Sequence, residues 1–385
     1  MLNPLDDYPV HQTPEPVAHL ATADRHAYDR YFFHGYDREG AVVFGAALGV
    51  YPNLGIIDAA VTVVRDGRQR SVFASGRLAA DRTRTRIGPL AVEVVRPLDT
   101  LRVTCQAADL GLEADLTFRA VTIALEEPRH GFRTGTTTTL DATRLTQWGD
   151  WAGHLVVDDD RIEVVPGTHL GLRDRSWGLR PVGDPAPPGA PAHELPAFSW
   201  FWAPLRFDDR CLHAAANEHA DGQRWFSFGA RLPLLDEAAR NDLDVDRFDT
   251  GGTVEPLRSV DLGVTWVPGT RRAERAELTV TPWHAQAVVV DLEPLALFPL
   301  RGLGYLHPDW GHGRWHDELA VGAESIALAD LDPTDLSALH VQQVVRATAD
   351  GPGGRHVGWG VLEQLNVGPH EPTGLTGFTD GFSAP

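Results

Sequence analysis

From Tyr31 onward the chain sets short β-branched and aromatic segments between turn residues, as at 41–50, 54–65 and 71–78. This near-alternation predicts strands rather than helices. Asp66-Gly67, Asp221-Gly222 and the run Asp158 to Asp160 each separate a pair of such segments. Residues that tolerate positive φ at those points predict hairpins, and hairpins imply antiparallel sheet. Helical periodicity is scarce: residues 236–242 predict one short helix, and 333–339 a second with Asp332 as its cap. No strand runs into a glycine-rich turn and a long crossover helix, which excludes βαβ architectures and their nucleotide sites. Residues 181–196 are dense in proline and predict an extended connection. The pattern therefore predicts an all-β chain with few short helices. An N-terminal extension (1–27) precedes a first domain (28–184), a proline-rich linker (185–196) and a second domain (197–385). Each domain holds enough strands for a closed or nearly closed antiparallel barrel, which removes sheet edges.

The length of 385 residues fits two packed domains, and 43% hydrophobic residues suffice for sizeable cores. Asp and Glu outnumber basic residues 53 to 34, and a formal charge of -19 repels phosphate backbones and anionic membranes. Nucleic acid is thus not an expected partner. All basic residues are arginine, so a Schiff-base lysine, a pyridoxal phosphate anchor and a P-loop lysine are excluded. Two cysteines, Cys105 and Cys211, make neither a zinc ribbon nor a disulfide framework, and a reducing cytoplasm is expected. The first twenty residues carry acids and prolines where a signal peptide has a basic start and an apolar core. No apolar run approaches the roughly 20 residues of a membrane span.

Several segments carry candidate chemistry. In residues 171–180, alternation on a strand points Arg173, Arg175 and Trp177 to one face and Asp174, Ser176 and Gly178 to the other. The favoured reading of Arg173, Asp174, Arg175 and Arg180 is a structural arginine–carboxylate network at a domain junction. Trp148 and Trp151, then Trp200 and Trp202, belong to a set of eleven tryptophans that fill a core or line an apolar ligand cavity. Asp58 interrupts an apolar strand, where it becomes a proton donor with a raised pKa, a salt-bridged acid or a residue of the solvent face. His307, His312 and His316 lie in a glycine-containing loop whose spacing matches no metal template, so a proton relay or a pocket rim is the reading, with His312 best placed. Glu363 shares a strand face with Trp359, facing either an aromatic interior or an arginine partner. No nucleophile elbow, dinucleotide fingerprint or HExxH occurs.

Gln147-Trp148-Gly149 with Gly153, then Arg173-Asp174-Arg175-Ser176-Trp177-Gly178-Leu179-Arg180, resembles the hydroxyneurosporene synthase (carotenoid 1,2-hydratase) superfamily and its actinobacterial branch. Gly304-Tyr305, Trp310-Gly311-His312-Gly313 and Glu363-Gln364 extend the resemblance over most of the chain. It implies two lipocalin-like barrels side by side, and chemistry in which an olefin is protonated and water added. Of that family's catalytic pattern Trp177 carries over, whereas Arg175 stands where the hydratases carry histidine and the segment Ser199 to Ala203 holds no Tyr-x-Asp.

The sequence thus points to a cofactor-independent acid–base lyase or isomerase, without a metal, acting on an apolar isoprenoid- or polyketide-like molecule through a carbocation-like state. Asp58, His312 and Glu363 are its candidate acids, and Trp148, Trp151, Trp177, Trp200, Trp202, Tyr305, Trp310 and Trp359 its candidate walls. A non-catalytic carrier of a hydrophobic ligand and a pericyclase are the competing readings.

Overall fold

A computed structural model describes residues 2–185, 197–242, 254–351 and 354–382. The proposed linker falls, from residue 186 on, outside the described residues.

Two antiparallel sheets are formed. The first half of the chain supplies β1 (Ala27–Asp37), β2 (Val42–Tyr51), β3 (Ile56–Arg65), β4 (Arg68–Arg77), β5 (Arg86–Ile87), β6 (Leu90–Arg96) and β7 (Thr100–Ala107). It continues with β8 (Leu112–Ala120), β9 (Leu125–Glu126), β10 (His130–Thr134), β11 (Thr137–Val157), β12 (Asp160–Val164) and β13 (His169–Leu179). The second half supplies β14 (Phe198–Phe207), β15 (Arg210–Glu218), β16 (Arg224–Pro233), β17 (Glu255–Trp266), β18 (Ala273–Pro282) and β19 (Val288–Pro299). After these come β20 (Leu319–Ala327), β21 (Val341–Gly351) and β22 (Gly354–Val367). The strands β14 to β19 with β21 and β22 close an eight-stranded barrel. The remaining strands form a 14-stranded sheet that runs β20-β4-β3-β2-β1-β13-β11-β8-β7-β6-β5 and curls until β5 and β6 lie against β3.

The hairpins at Asp66-Gly67, at Asp158 to Asp160 and at Asp221-Gly222 all form, with Asp66, Asp158 and Asp159 at positive φ. The short helix is α1 (Glu237–Asn241), with the Asp236 carboxylate capping Ala239 N–H. The second helix differs from expectation. Asp332 instead closes a turn onto Thr334, and a single 3-10 turn, Leu336–Ala338, is capped by Asp335. The first sheet is not built from residues 28–184 alone, since β20 pairs along β4 from Leu319↔Gly76 to Ala327↔Arg68.

Strands β1 to β4 are buried on both faces, which is why they read as almost continuous apolar runs. One face lines the first barrel, around Phe33, Phe44, Phe118 and Trp151. The other packs on the outside of the second barrel, where Phe32, Phe73, Trp200, Trp202, Phe226 and Phe298 form a shared core. By contrast β8, with one wet face, alternates strictly. A row of glycines crosses the sheet at Gly149, Gly171 and Gly35, paired in register. Aromatic rings lie directly on it: a Cβ on Gly171 would sit 2.1 Å from Trp151 Nε1, and one on Gly35 2.2 Å from the Phe44 ring. Trp151 donates from the same nitrogen to His34 O at 3.0 Å. Gly171→Ala therefore overpacks this layer and should cost about 1–3 kcal/mol, read as a lower midpoint in urea unfolding.

Candidate functional site

Strand β13 lies between β1 and β11, and alternation aims every second residue at the second barrel. On that face the rung Arg30–Ser176–Arg144 adjoins the rung Phe32–Asp174–Thr146. Arg173 and Arg175 point the other way. Arg173 hydrogen-bonds Gln147 Oε1 at 2.7 and 3.0 Å, while Arg175 pairs with Asp29 and lies 4.1 Å over Tyr31. Arg173, Asp174, Arg175 and Arg180 therefore do not form the single structural network expected of them, because neighbours on a strand cannot share a face.

Asp174 stays half-buried, and among the described residues none hydrogen-bonds its carboxyl. Burial pushes its pKa up to about 6 against the pull of Arg144 and Arg30. The charges of Arg144 and Arg30 reach it, as its own reaches Tyr305, and Arg180 lies beyond, against Tyr28 and Tyr305. The side chains of Arg144, Arg180, Tyr28 and Tyr305 have no hydrogen-bond partner among the described residues, though Arg144 makes a 3.9 Å ion pair with Glu127. Arg30 lies 4.3 Å over the Tyr305 ring, Arg180 5.6 Å over the same ring, and Arg144 5.2 Å over Trp200. Two guanidinium groups, of Arg144 and Arg30, and the Tyr305 phenol thus lie within electrostatic reach of one carboxyl.

Two saturated networks flank this space. Glu363 accepts from Trp200 Nε1 at 2.8 Å and from Gln342 at 2.6 Å, and lies 2.9 Å from His340 Nε2. Burial alone would raise its pKa, but the hydrogen bond to His340 and its charge, then Arg144, outweigh it and bring the carboxyl down to about 2. Deeper still, Glu127 accepts from Thr146 at 2.6 Å and Trp202 Nε1 at 3.2 Å, with His130 and His213 at 3.1 and 3.3 Å. Burial again acts upward, yet the charges of His213 and Arg144 and these hydrogen bonds hold it well below the usual carboxylate range. Both acids are thus held toward the anion by their partners, which runs against the proton-donor role expected of Glu363.

The other two candidate acids sit at one edge of the interface. Asp58 accepts from Tyr51 OH at 3.0 Å and from Gly313 N–H at 2.7 Å, and burial still raises its pKa to about 6. Beside it the enclosed space is about 10 Å³, room for one water. His312 is held between Arg30 (3.1 Å to Nδ1) and Leu303 O (3.0 Å to Nε2), which assigns the proton to Nε2. Burial, then the Arg30 and Arg180 charges, keeps the ring neutral, so it is a poor acid. His307 instead accepts the Asp309 and Trp310 N–H groups, and His316 stacks by Trp310 at 4.4 Å. Among the described residues no three His, Cys, Asp or Glu groups converge as a metal would require.

Of the candidate walls, Trp200, Trp202, Tyr305, Trp310 and Trp359 belong to the shared core. Trp310 stacks on Phe73 at 5.5 Å, and Trp359 lies under Arg38 at 4.5 Å. Trp151 does not line this space; it fills the first barrel. Trp148 is buried in a separate cluster with Val121 and Leu232, and Trp177 is 41% exposed at the end of β13. Sequence reasoning missed Tyr28, Arg30, Arg144 and Glu127. The first two had a signal, since polar and aromatic residues alternate along Tyr28, Arg30, Phe32, His34 and Tyr36 in a strand with no wet face.

Because the folded-state pKa of Asp174 lies above its ordinary value of 3.8, the folded protein holds an extra proton near pH 5. That contribution is complete below about pH 4 and lost as pH rises through about 6. Asp174→Asn should therefore be more stable than the parent at pH 8, by about 1–3 kcal/mol, with the gap closing at pH 4 in thermal melts. Glu127→Ala, which strands two buried histidines and Arg144, should cost about 3–5 kcal/mol by chemical denaturation.

The chain belongs to the family described as a family of unknown function, DUF8625, whose model matches residues 2–376. Among curated proteins none matches it in sequence. In fold it is similar to kievitone hydratase from Nectria haematococca, at 11% identity and TM-score 0.52 over 88% of each chain. It is likewise similar to an AttH-type protein from Nitrosomonas europaea, at 14% identity and TM-score 0.51 over 88% of this chain and 92% of that one. The all-β fold with two antiparallel barrel-like sheets, expected from the sequence, is the fold observed.

Proposed function

We propose that this member of DUF8625 is a cofactor-independent lyase or isomerase that moves a proton next to a carbonyl group of a largely apolar small molecule, with Asp174 as the acid–base group. The observation that carries this reading is a carboxyl without a hydrogen-bond partner that lies within electrostatic reach of Arg144 and Tyr305, with Arg180 over the Tyr305 ring, while the side chains of all three make no hydrogen bond among the described residues. Donors left without acceptors in a half-buried space suit a substrate oxygen that accumulates negative charge.

The sign of the field decides between two kinds of intermediate. A carbocation needs open ring faces, but Arg30 covers Tyr305 and Arg144 covers Trp200. Three nearby cations disfavour a fourth and favour an enolate. The carbocation route expected from sequence is accordingly replaced by an enolate route. Near neutral pH the Asp174 carboxylate takes the proton from the carbon beside the carbonyl, and the electron pair moves onto the oxygen held by Arg144, Arg180 and Tyr305. Return of the proton at a second carbon completes an isomerisation. Expulsion of a β-hydroxyl group, protonated by Asp174 as it leaves as water, completes a dehydration, and the reverse is hydration of a conjugated double bond. The carboxyl at about 6 suits both directions of transfer. A hydratase with the same two-barrel fold is in keeping with this chemistry.

Deuterium exchange from solvent into a panel of apolar β-hydroxy ketones, followed by proton NMR, tests the reading. The parent should exchange one α-hydrogen with a pH limb near 6, and Asp174→Asn should be slower by roughly 10²-fold or more. Exchange that is indifferent to Asp174 would remove it from the mechanism.

A further inference from the structure

A larger open space than the one beside Asp58 lies elsewhere. At the mouth of the first barrel a cleft of about 690 Å³ is floored by Tyr31, Leu48, Val50 and Val92. A second cleft of about 470 Å³ adjoins it, and Arg86 lines both. The N-terminal extension straps this end: Leu5, in the 3-10 helix Pro4–Asp7, lines the cleft, and Arg82 donates to Val17 O at 2.6 Å.

The rim segment from Arg77 to Arg86 carries Arg77, Arg82, Arg84 and Arg86 against Asp81 alone, in a chain whose formal charge is -19. Arg77 is engaged by Glu318 at 2.5 Å, and Arg82 by the strap. Arg84 and Arg86 are exposed, and their side chains have no acidic or hydrogen-bonding partner among the described residues. On the floor Arg175 pairs with Asp29, and on the far rim Glu93 stands across the strands from Arg102, which Asp115 holds. Apart from the Arg175–Asp29 pair the floor is apolar, and at the lip two uncommitted guanidinium groups, of Arg84 and Arg86, outnumber the single carboxylate of Glu93.

We propose that the mouth of the first barrel is a second binding site, separate from the Asp174 site, for an amphipathic anion of fatty-acid type. The alkyl chain lies on Tyr31, Leu48, Val50 and Val92, and the carboxylate is held at the lip by Arg84 and Arg86. The volume falls within the roughly 300–1,000 Å³ of small-molecule sites, and an arginine fork matches a carboxylate. The four aliphatic and aromatic floor residues explain the tail, and the two arginines the sign of the head.

Equilibrium dialysis with radiolabelled dodecanoate tests the site, with dodecyltrimethylammonium as the matched cation, both below their micellar concentrations. Dodecanoate should bind, and the cation should compete at least roughly tenfold more weakly. The double variant Arg84→Gln/Arg86→Gln should lose at least roughly tenfold in affinity with an unchanged melting temperature, whereas Asp174→Asn should bind as the parent does. Absence of binding, equal competition by the cation, or an unaltered affinity in the double arginine variant would each overturn the proposal. Loss of binding in Asp174→Asn would place the anion between the barrels and overturn it as well.

Discussion

The face that β1, β13 and β11 turn toward the second barrel is a sheet surface that would ordinarily be solvated, yet here a second barrel covers it. Polar side chains on such a face lose water when the barrels meet, and each must then find a partner or shift its protonation. Glu363 and Glu127 find partners, through His340, Gln342, Thr146 and two indole N–H groups. Asp174 finds none and holds its proton to higher pH instead. The chemistry argued for the site follows from that difference between three carboxyls under one cover.

Aromatic rings in this space act as supports for arginine more than as walls for a guest. A guanidinium laid flat on a ring keeps its charge while shedding water, because the ring face supplies some of the lost electrostatic stabilisation. Tyr305 carries Arg30 and, at greater distance, Arg180; Trp200 carries Arg144; Tyr28 lies 5.4 Å under Arg180. The rings thereby fix the positions of Arg144 and Arg180, whose N–H groups make no hydrogen bond among the described residues, while Arg30 spends its own on His312 and Leu303 O.

Much of the architecture is legible in the chain, because hairpin residues and period-two alternation are local signals. The same alternation, followed strictly, separates Asp174 from Arg173 and Arg175, so its independence is implicit in a segment whose composition suggests an ion-pair network. Trp151 suggests a cavity wall only because an indole in a strand gives no hint of which of two buried faces it occupies; the glycine row beneath it decides that, and the row is visible only once Gly35, Gly149 and Gly171 are paired. Glu127 and Arg144 lie beyond sequence reasoning, since part of their environment, Trp200, Trp202 and His213, comes from strands in the other half of the chain. The placement of β20 is likewise hidden, as nothing in residues 319–327 names the edge that they join.

That exchanged strand has a wider meaning. Strand β20 shields the rim of β4, so the first sheet borrows its last member from a segment translated long after the rest of it. Until residue 327 emerges, β4 offers a bare hydrogen-bonding edge to any neighbouring chain. The two barrels are thereby linked through a shared strand, and the first half of the chain cut out by itself would leave β4 without its edge partner.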